Sequence, residues 1–405
     1  MIPLAPVPGE PGLRWRSRAH DLTAIERELA KIWSGTRLTS TVDGVEERRV
    51  GARTSVMNLV VVAPRPEAAD RCAAVVGRLT GRHPSRTLII APGDPDGPSR
   101  IDADILAYCV LPREGAPETC SERIDIHAGG ESGRHLAAIA APLLIHDLPV
   151  TTWWPGDLPL GSPMVRELLD LSDRIVVDGS SWSGSGLDRL RDLAPLVDNP
   201  NLAVNDFAQM RQSRWREAIA STFDQPNLQP FVRSIRRITV TYATGDDGGR
   251  PGAANLVRPL YHLAWLTSRL GLTIEHPLAP DPDGNRDDGL TTTLRRGRVR
   301  VTGSLRPEIV DVRRGTTLRV ELEATRGRHR LWVVVTGAPD TIMVEAWMDG
   351  HLLRHRPFLA PRRTEVDMLA EVIESVGQSR LSAGGIRTAV ALLGKSAPNP
   401  AEEQG

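Results

Sequence analysis

Apolar runs and helical stripes alternate over the first two thirds of the chain. Residues 55–63 (SVMNLVVVA) form a continuous apolar run, which predicts a buried strand. Residues 66–79 follow with helical spacing, and Pro66 suits a first helical position. A second short strand is expected over 87–90, stopped by Pro92-Gly93, and two more over 103–110 and 123–127. Between 131 and 146, Leu136, Ile139, Ala140, Leu143 and Leu144 fall on one helical face, with Pro142 as a kink or an early stop. The order continues as strand 149–154, helix 164–171, strand 173–178 and helix 187–196. Short apolar strands separated by helices predict a mostly parallel sheet flanked by helices, an α/β fold. A helix over 20–32 precedes this pattern, and helix 206–221 with strand 235–242 extends it. The helix over 254–270 carries an inner stripe of Leu256, Leu260, Leu263, Ala264, Thr267 and Leu270, and Gly271 supplies its stop.

The texture changes after a loop rich in Pro, Asp and Gly at 277–289, which reads as a domain boundary. Segments 291–302, 317–323, 329–336 and 341–348 alternate or run apolar in strand fashion, with turns such as Asp349-Gly350 between them. A helix follows over 364–376, where Thr364 and Asp367 are placed as a capping box and Gly377 as the stop. The expected organisation is an N-terminal arm and helix (1–50), an α/β domain (51–276), a smaller α+β domain with an antiparallel sheet (290–395) and a disordered tail (396–405).

Composition narrows the function classes. The 405 residues carry 50 Lys+Arg and 50 Asp+Glu, so the basic excess of a nucleic-acid or anionic-lipid binder is missing. Lys31 and Lys395 are the only lysines, which argues against Schiff-base chemistry. Gly394-Lys395-Ser396 fails as a phosphate loop, because Ala389 stands where that loop needs its first Gly. Cys72, Cys109 and Cys120 are odd in number and lack metal-ligand spacing, so no disulfide framework is expected and a reducing cytoplasm is the expected compartment. The start MIPLAP has no secretory pattern, and the longest apolar run, 136–145, falls far short of the ~20 residues of a membrane span.

Candidate chemistry is scattered. No nucleophile elbow is present, and no GxGxxG follows a strand, so neither a catalytic set nor a dinucleotide cofactor is expected. In the run HPSRT, Pro84 ends the preceding helix; His83 and Arg86 are candidate contacts, with Arg86 either holding a phosphate or pairing with an acid. Arg134 and His135 are further candidates, and the loop 179–186 is either an anion site at a helix start or a plain connection. Trp153 and Trp154 close a strand at the sheet edge where open α/β folds bind ligands; one is expected in the core and the other as an interface anchor. On helix 254–270, Arg258, His262, Trp265 and Arg269 form a basic-aromatic stripe that suits a docking surface or a solvated face. His351 and His355 stand four apart between strands rather than on a helix, so no metal is expected there.

The ordered string RTSVMNLVV, HPSRT, His135-Leu136 through Pro142-Leu143-Leu144, DLPV with WWPG, DRIVVD, Trp215-Arg216-Glu217 and WLTSRLG resembles the glucose-6-phosphate dehydrogenase assembly protein family (OpcA type) over residues 51–275. The resemblance implies a non-catalytic protein of the oxidative pentose phosphate pathway. Its implied partner is glucose-6-phosphate dehydrogenase, whose active oligomer it would favour. A second expectation, drawn from the fold, is an enzyme or sensor that binds a sugar-phosphate ligand at the sheet's C-terminal edge, with Arg86, Arg134 and the loop 179–186 as its contacts.

Overall fold

The computed structural model describes residues 11–34, 38–42, 45–49, 52–53, 55–80, 82–110, 119–245, 254–280, 289–375, 377 and 379–394. The first ten residues of the expected arm, the tail and Lys395 lie outside the described residues. The chain divides into two compact units, the first of 1–177, 200–205 and 364–377 and the second of 178–199, 206–363 and 378–405.

The first unit opens with β1 (Pro11–Ala19), α1 (Leu22–Ser34), the hairpin of β2 (Leu38–Val42) and β3 (Val45–Arg49), and the short β4 (Ala52–Arg53). It continues with β5 (Met57–Val62), α2 (Pro66–Leu79), β6 (Ser85–Pro92), β7 (Arg100–Val110) and β8 (Thr119–Gly129). Then come α3 (Leu136–Ala140), β9 (Val150–Trp154), α4 (Pro163–Asp170), β10 (Arg174–Val177) and β11 (Ala203–Asp206). Nine strands form one sheet in the order β1-β7-β8-β6-β5-β9-β10-β11, with β4 beside β8. From β8 to β10 neighbouring strands are parallel, while β7 and β1 add an antiparallel edge.

Sequence explains the layers. All six residues of β5 are buried, as a strand covered on both faces requires. Helix α2 turns Cys72, Val75, Val76 and Leu79 inward at helical spacing, and Pro66 opens it. Asn58 is buried within β5, where its amide donates to the Ile145 carbonyl (2.9 Å) and accepts from the Ile145 N–H (2.8 Å). Pro142 ends the expected long helix early: α3 stops at Ala140 and a 3₁₀ turn follows. Cys109 and Cys120 run against the expectation of no disulfide framework. They sit directly opposite on β7 and β8 and are joined as a disulfide, while Cys72 is free and buried. Counting cysteines misses such a pair, because only the strand register brings the two together.

The second unit holds α5 (Leu187–Leu193), α6 (Phe207–Met210), α7 (Ser213–Thr222), β12 (Ile235–Thr244) and α8 (Val257–Arg269). A run of strands follows: β13 (Thr273–Pro280), β14 (Leu290–Arg296), β15 (Val299–Ile309), β16 (Thr317–Arg326), β17 (His329–Gly337), β18 (Thr341–Met348) and β19 (His351–Leu359). The chain then supplies α9 (Glu365–Glu374) to the first unit and α10 (Arg380–Leu393) to the second. The eight-stranded sheet runs β13-β14-β15-β12-β16-β17-β18-β19 and is antiparallel except for the β12–β15 pair. Helix α8 lies against it closely enough that a Cβ on Gly303 would meet Leu263 at 3.0 Å.

The expected boundary at 277–289 is displaced. Strand β12 and helix α8, expected in the α/β domain, belong to the second unit, which begins at Asp178. The Pro-, Asp- and Gly-rich stretch instead begins inside β13 and leads to β14, the two strands pairing antiparallel, and its residues 281–288 are outside those described. The same breaker residues mark a chain reversal and a linker, so composition alone does not separate the two.

Candidate functional site

In a parallel sheet, ligands bind where the chain winds away from a central strand in both directions. Here that crossing lies between β5 and β9. The loop after β5 is Ala63-Pro64-Arg65, without glycine, and it enters α2 with no side-chain cap. Gly156 follows β9, and a Cβ there would stand 3.0 Å from Pro64, so the two loops pack on one another. Trp153 and Trp154 are both buried, since β9 is covered on both faces, and the Trp154 indole N–H donates to the Asp157 carbonyl at 3.0 Å. Neither indole reaches the surface as an anchor.

The other first-unit candidates do not converge. Arg86 is buried, ion-paired with Glu122, and its Nη1 donates to the Leu143 carbonyl at 2.8 Å. His83 lies 3.1 Å from the Glu374 carboxylate, as does Arg82. Arg134 is exposed and donates weakly to the Pro95 carbonyl and Asp96, while His135 pairs with Glu131 at 3.0 Å. Arg86 begins β6, whereas Arg134 follows the far end of the parallel β8. At ~3.3 Å per residue the two arginines lie at opposite ends of the sheet and cannot hold one phosphate.

A mixed polar concavity of about 360 Å³ opens on the antiparallel edge, among Arg16, Asp104, Tyr108, Arg123, Asp125 and His127. Arg123 donates twice to Asp125 Oδ2 (3.1 and 2.9 Å) and lies 5.3 Å over the Tyr108 ring. Burial raises the Asp125 carboxyl, against the lowering pull of Arg123.

The second unit contains the most connected polar constellation. Asp178 accepts from the Ser180 N–H (3.2 Å) and hydroxyl (2.6 Å), and Arg211 forks onto both its oxygens at 2.7 and 2.8 Å. Arg313 donates to the Ser180 carbonyl at 3.0 Å. Asp206 is wholly buried and accepts from the Gly179 N–H (2.9 Å), the Ala208 N–H (2.8 Å) and the Tyr261 hydroxyl (2.8 Å). Burial, and then the Asp178 charge, push the Asp206 carboxyl up to about 6. Gly179 is required by close approach: a Cβ would meet Asp206 Oδ2 at 2.6 Å and Val257 at 2.7 Å. The 179–186 loop is closed by its own protein. Its first amides serve Asp178 and Asp206, and Asn255 donates to the Gly179 and Trp182 carbonyls (2.8 and 3.1 Å).

The α8 stripe divides. His262 is buried edge-on to Trp215, 5.1 Å between centroids, and burial followed by the Arg258 and Arg216 charges holds its imidazole well below the usual range, hence neutral. Trp265 and Arg269 line a cavity of about 300 Å³ with Gln209, Arg216, Leu381 and Gly385. Arg258 is largely buried; burial, then the Arg211 charge, press its guanidinium down to about 10. The Asp178–Arg211 and Asp206–Tyr261 pairs escape sequence reading because their members are 33 and 55 residues apart. The one local signal was Asp178 at the end of an apolar strand.

The second sheet also leaves one face open. Trp332 is 42% exposed on β17, stands opposite Trp347 on β18, and Trp347 stands opposite Leu352 on the edge strand β19. Leu353 and Leu359 add exposed apolar surface along that edge. No helix among the described residues is long and apolar enough to cross a membrane, and among them no three His, Cys, Asp or Glu side chains gather as a metal would need.

Two family models match the chain. One describes the glucose-6-phosphate dehydrogenase subunit's N-terminal domain and matches residues 76–194; the other describes its C-terminal domain and matches 202–381. A protein of Synechocystis sp., provisionally named OxPP cycle protein OpcA, is 26% identical over 202 residues, 50% of this chain and 40% of the relative. Its counterpart in Nostoc punctiforme is 26% identical over 192 residues, 47% of this chain and 38% of the relative. The matched region thus spans about two fifths of those relatives. Among solved structures, an oxidoreductase from Sinorhizobium meliloti aligns at a TM-score of 0.40 and 13% identity, covering 86% of this chain and 91% of that one. The super-repressor mutant of Gal80p from Saccharomyces cerevisiae aligns at 0.42 and 11%, covering 83% of this chain and 95% of that one.

Proposed function

Since the chain belongs to the glucose-6-phosphate dehydrogenase assembly protein family (OpcA type), we propose that it is a non-catalytic cytoplasmic factor of the oxidative pentose phosphate pathway that binds glucose-6-phosphate dehydrogenase and favours its active oligomer. The observation that carries this reading is the paired family match over 76–194 and 202–381, which reaches into both compact units. The open face of the second sheet supports a protein partner. Its Trp332–Trp347–Leu352 row is apolar, partly exposed and aromatic, the chemistry enriched at binding hot spots.

Activation then follows from mass action. A factor that binds the active dehydrogenase tenfold more tightly than the inactive one shifts that equilibrium by ~1.4 kcal/mol, within reach of one modest interface. The test is a dehydrogenase assay with and without this chain, combined with light scattering of the mixture. The expected result is a larger oligomer and a higher rate, both lost in Trp332→Glu. An unchanged rate and oligomer size with the wild-type chain would refute the proposal.

A further inference from the structure

Among the described residues, one arginine of the second unit is largely buried without a counter-charge of its own. Arg258 lies in the first turn of α8 and is mostly shielded from solvent. Among the described residues its guanidinium has no hydrogen-bond or ion-pair partner, and its Nε is sealed from water. Its charged neighbours are mostly arginines: Arg211, Arg313 and Arg362. The nearby carboxylate, Asp178, is already taken by the Arg211 fork at 2.7 and 2.8 Å. Arg313 spends one N–H on the Ser180 carbonyl, and it and Arg362 stand exposed. The N-terminal end of α8 adds partial positive charge to the same place.

Such an arrangement opposes folding on its own. A guanidinium stays protonated at neutral pH, so Arg258 cannot escape by losing its charge as a buried lysine can. Leaving a buried charge unpaired is destabilising. An anion would relieve it. Among the described residues these three guanidiniums have no carboxylate to themselves, which calls for more than one negative charge, and guanidinium forks match the oxygens of phosphate. Because Arg258 is largely buried, the anion that meets it is small.

We propose that Arg258, Arg313 and Arg362, with the Asp178-locked Arg211 beside them, form a binding site for a small dianionic oxyanion of the phosphomonoester class. This site shares no residue with Arg86 or Arg134. It also stands apart from the partner-binding proposal, because it is tested on the chain alone.

The experiment is calorimetric titration of the full chain at low ionic strength. The probes are inorganic phosphate, glycerol 3-phosphate and, as a monoanion, acetate. Both phosphates should saturate one site, and acetate should bind at least about tenfold more weakly. Arg258→Gln and Arg362→Gln should each weaken phosphate about tenfold, while Arg298→Gln, at an exposed turn position between β14 and β15, leaves it unchanged. Without ligand, Arg258→Gln should melt at or above the wild-type temperature, whereas a merely structural arginine would lower it. Should Arg258→Gln fail to fold, the exposed Arg362→Gln decides alone. No saturable phosphate binding, acetate binding as tight as phosphate, or wild-type affinity in Arg362→Gln would overturn the assignment.

Discussion

Substituting Asp206→Asn probes the polar core of the second unit through its pH dependence. The carboxyl is wholly buried, and burial followed by the Asp178 charge raises it from 3.8 to about 6. A raised carboxyl means that the folded chain holds the proton more tightly than the unfolded chain, so ionisation opposes folding. The cost vanishes only as pH falls well below the ordinary value of 3.8, where both states are protonated, and grows as pH rises toward 6. Above pH 6 it levels off near 3 kcal/mol, since each tenfold gain in proton affinity is about 1.4 kcal/mol. Asparagine keeps the shape: its Oδ1 still accepts from the Gly179 and Ala208 N–H groups, and its amide donates to the Tyr261 hydroxyl in reversed polarity. Asp178 behaves oppositely. Burial pushes its carboxyl up, but the Arg211 fork outweighs this and holds it low. Its stabilisation is present above the ordinary carboxylate range and fades as pH falls, and it largely cancels in the comparison of wild type with variant. Urea unfolding followed by Trp fluorescence between pH 4 and pH 8 is the assay. Asp206→Asn should come within about 0.5 kcal/mol of wild type near pH 4 and exceed it by up to about 3 kcal/mol near pH 7.5. A pH-independent difference, or a variant less stable than wild type at pH 7.5, would refute the reasoning.

Other perturbations have expected outcomes. Arg86→Met takes the guanidinium from the buried Glu122 carboxylate and should cost about 3–5 kcal/mol in urea unfolding. Burial pushes the Cys72 thiol up to about 12, so iodoacetamide at pH 8 should label it only after denaturation, as mass spectrometry will show. Cys120→Ala opens a loop with a sequence separation of 11, and should lower stability by about 3 kcal/mol relative to the oxidised protein. The same loss should appear when wild type is reduced.

Most of the fold is readable wherever burial is periodic. The runs at 57–62 and 174–177 became fully or nearly fully buried parallel strands, and the Cys72–Val75–Val76–Leu79 stripe became the inner face of α2. The Thr364–Asp367 capping box is present as expected. What periodicity cannot supply is strand order. Strand β12 is apolar enough to sit in either sheet, and its pairing with β15 joins residues about sixty-five apart, such as Arg237 with Thr302. The breaker-rich stretch that leads from β13 to β14 therefore looked like a linker, although the two strands pair.

Site residues are harder to read for a related reason. A polar side chain carries no period, so its role depends on what the fold sets beside it. Arg86 and Arg258 are both arginines on elements of strong apolar pattern, and the sequence offers Arg86 as a phosphate contact and Arg258 as part of a docking stripe. The structure separates them by one fact: Arg86 meets Glu122, four residues into the neighbouring strand β8, whereas Arg258 pairs with no carboxylate among the described residues and faces Arg211 instead. A buried guanidinium with its acid in place is complete and contributes to packing. One without an acid is incomplete until something anionic arrives, and that asymmetry is what turns an ordinary helix residue into a site.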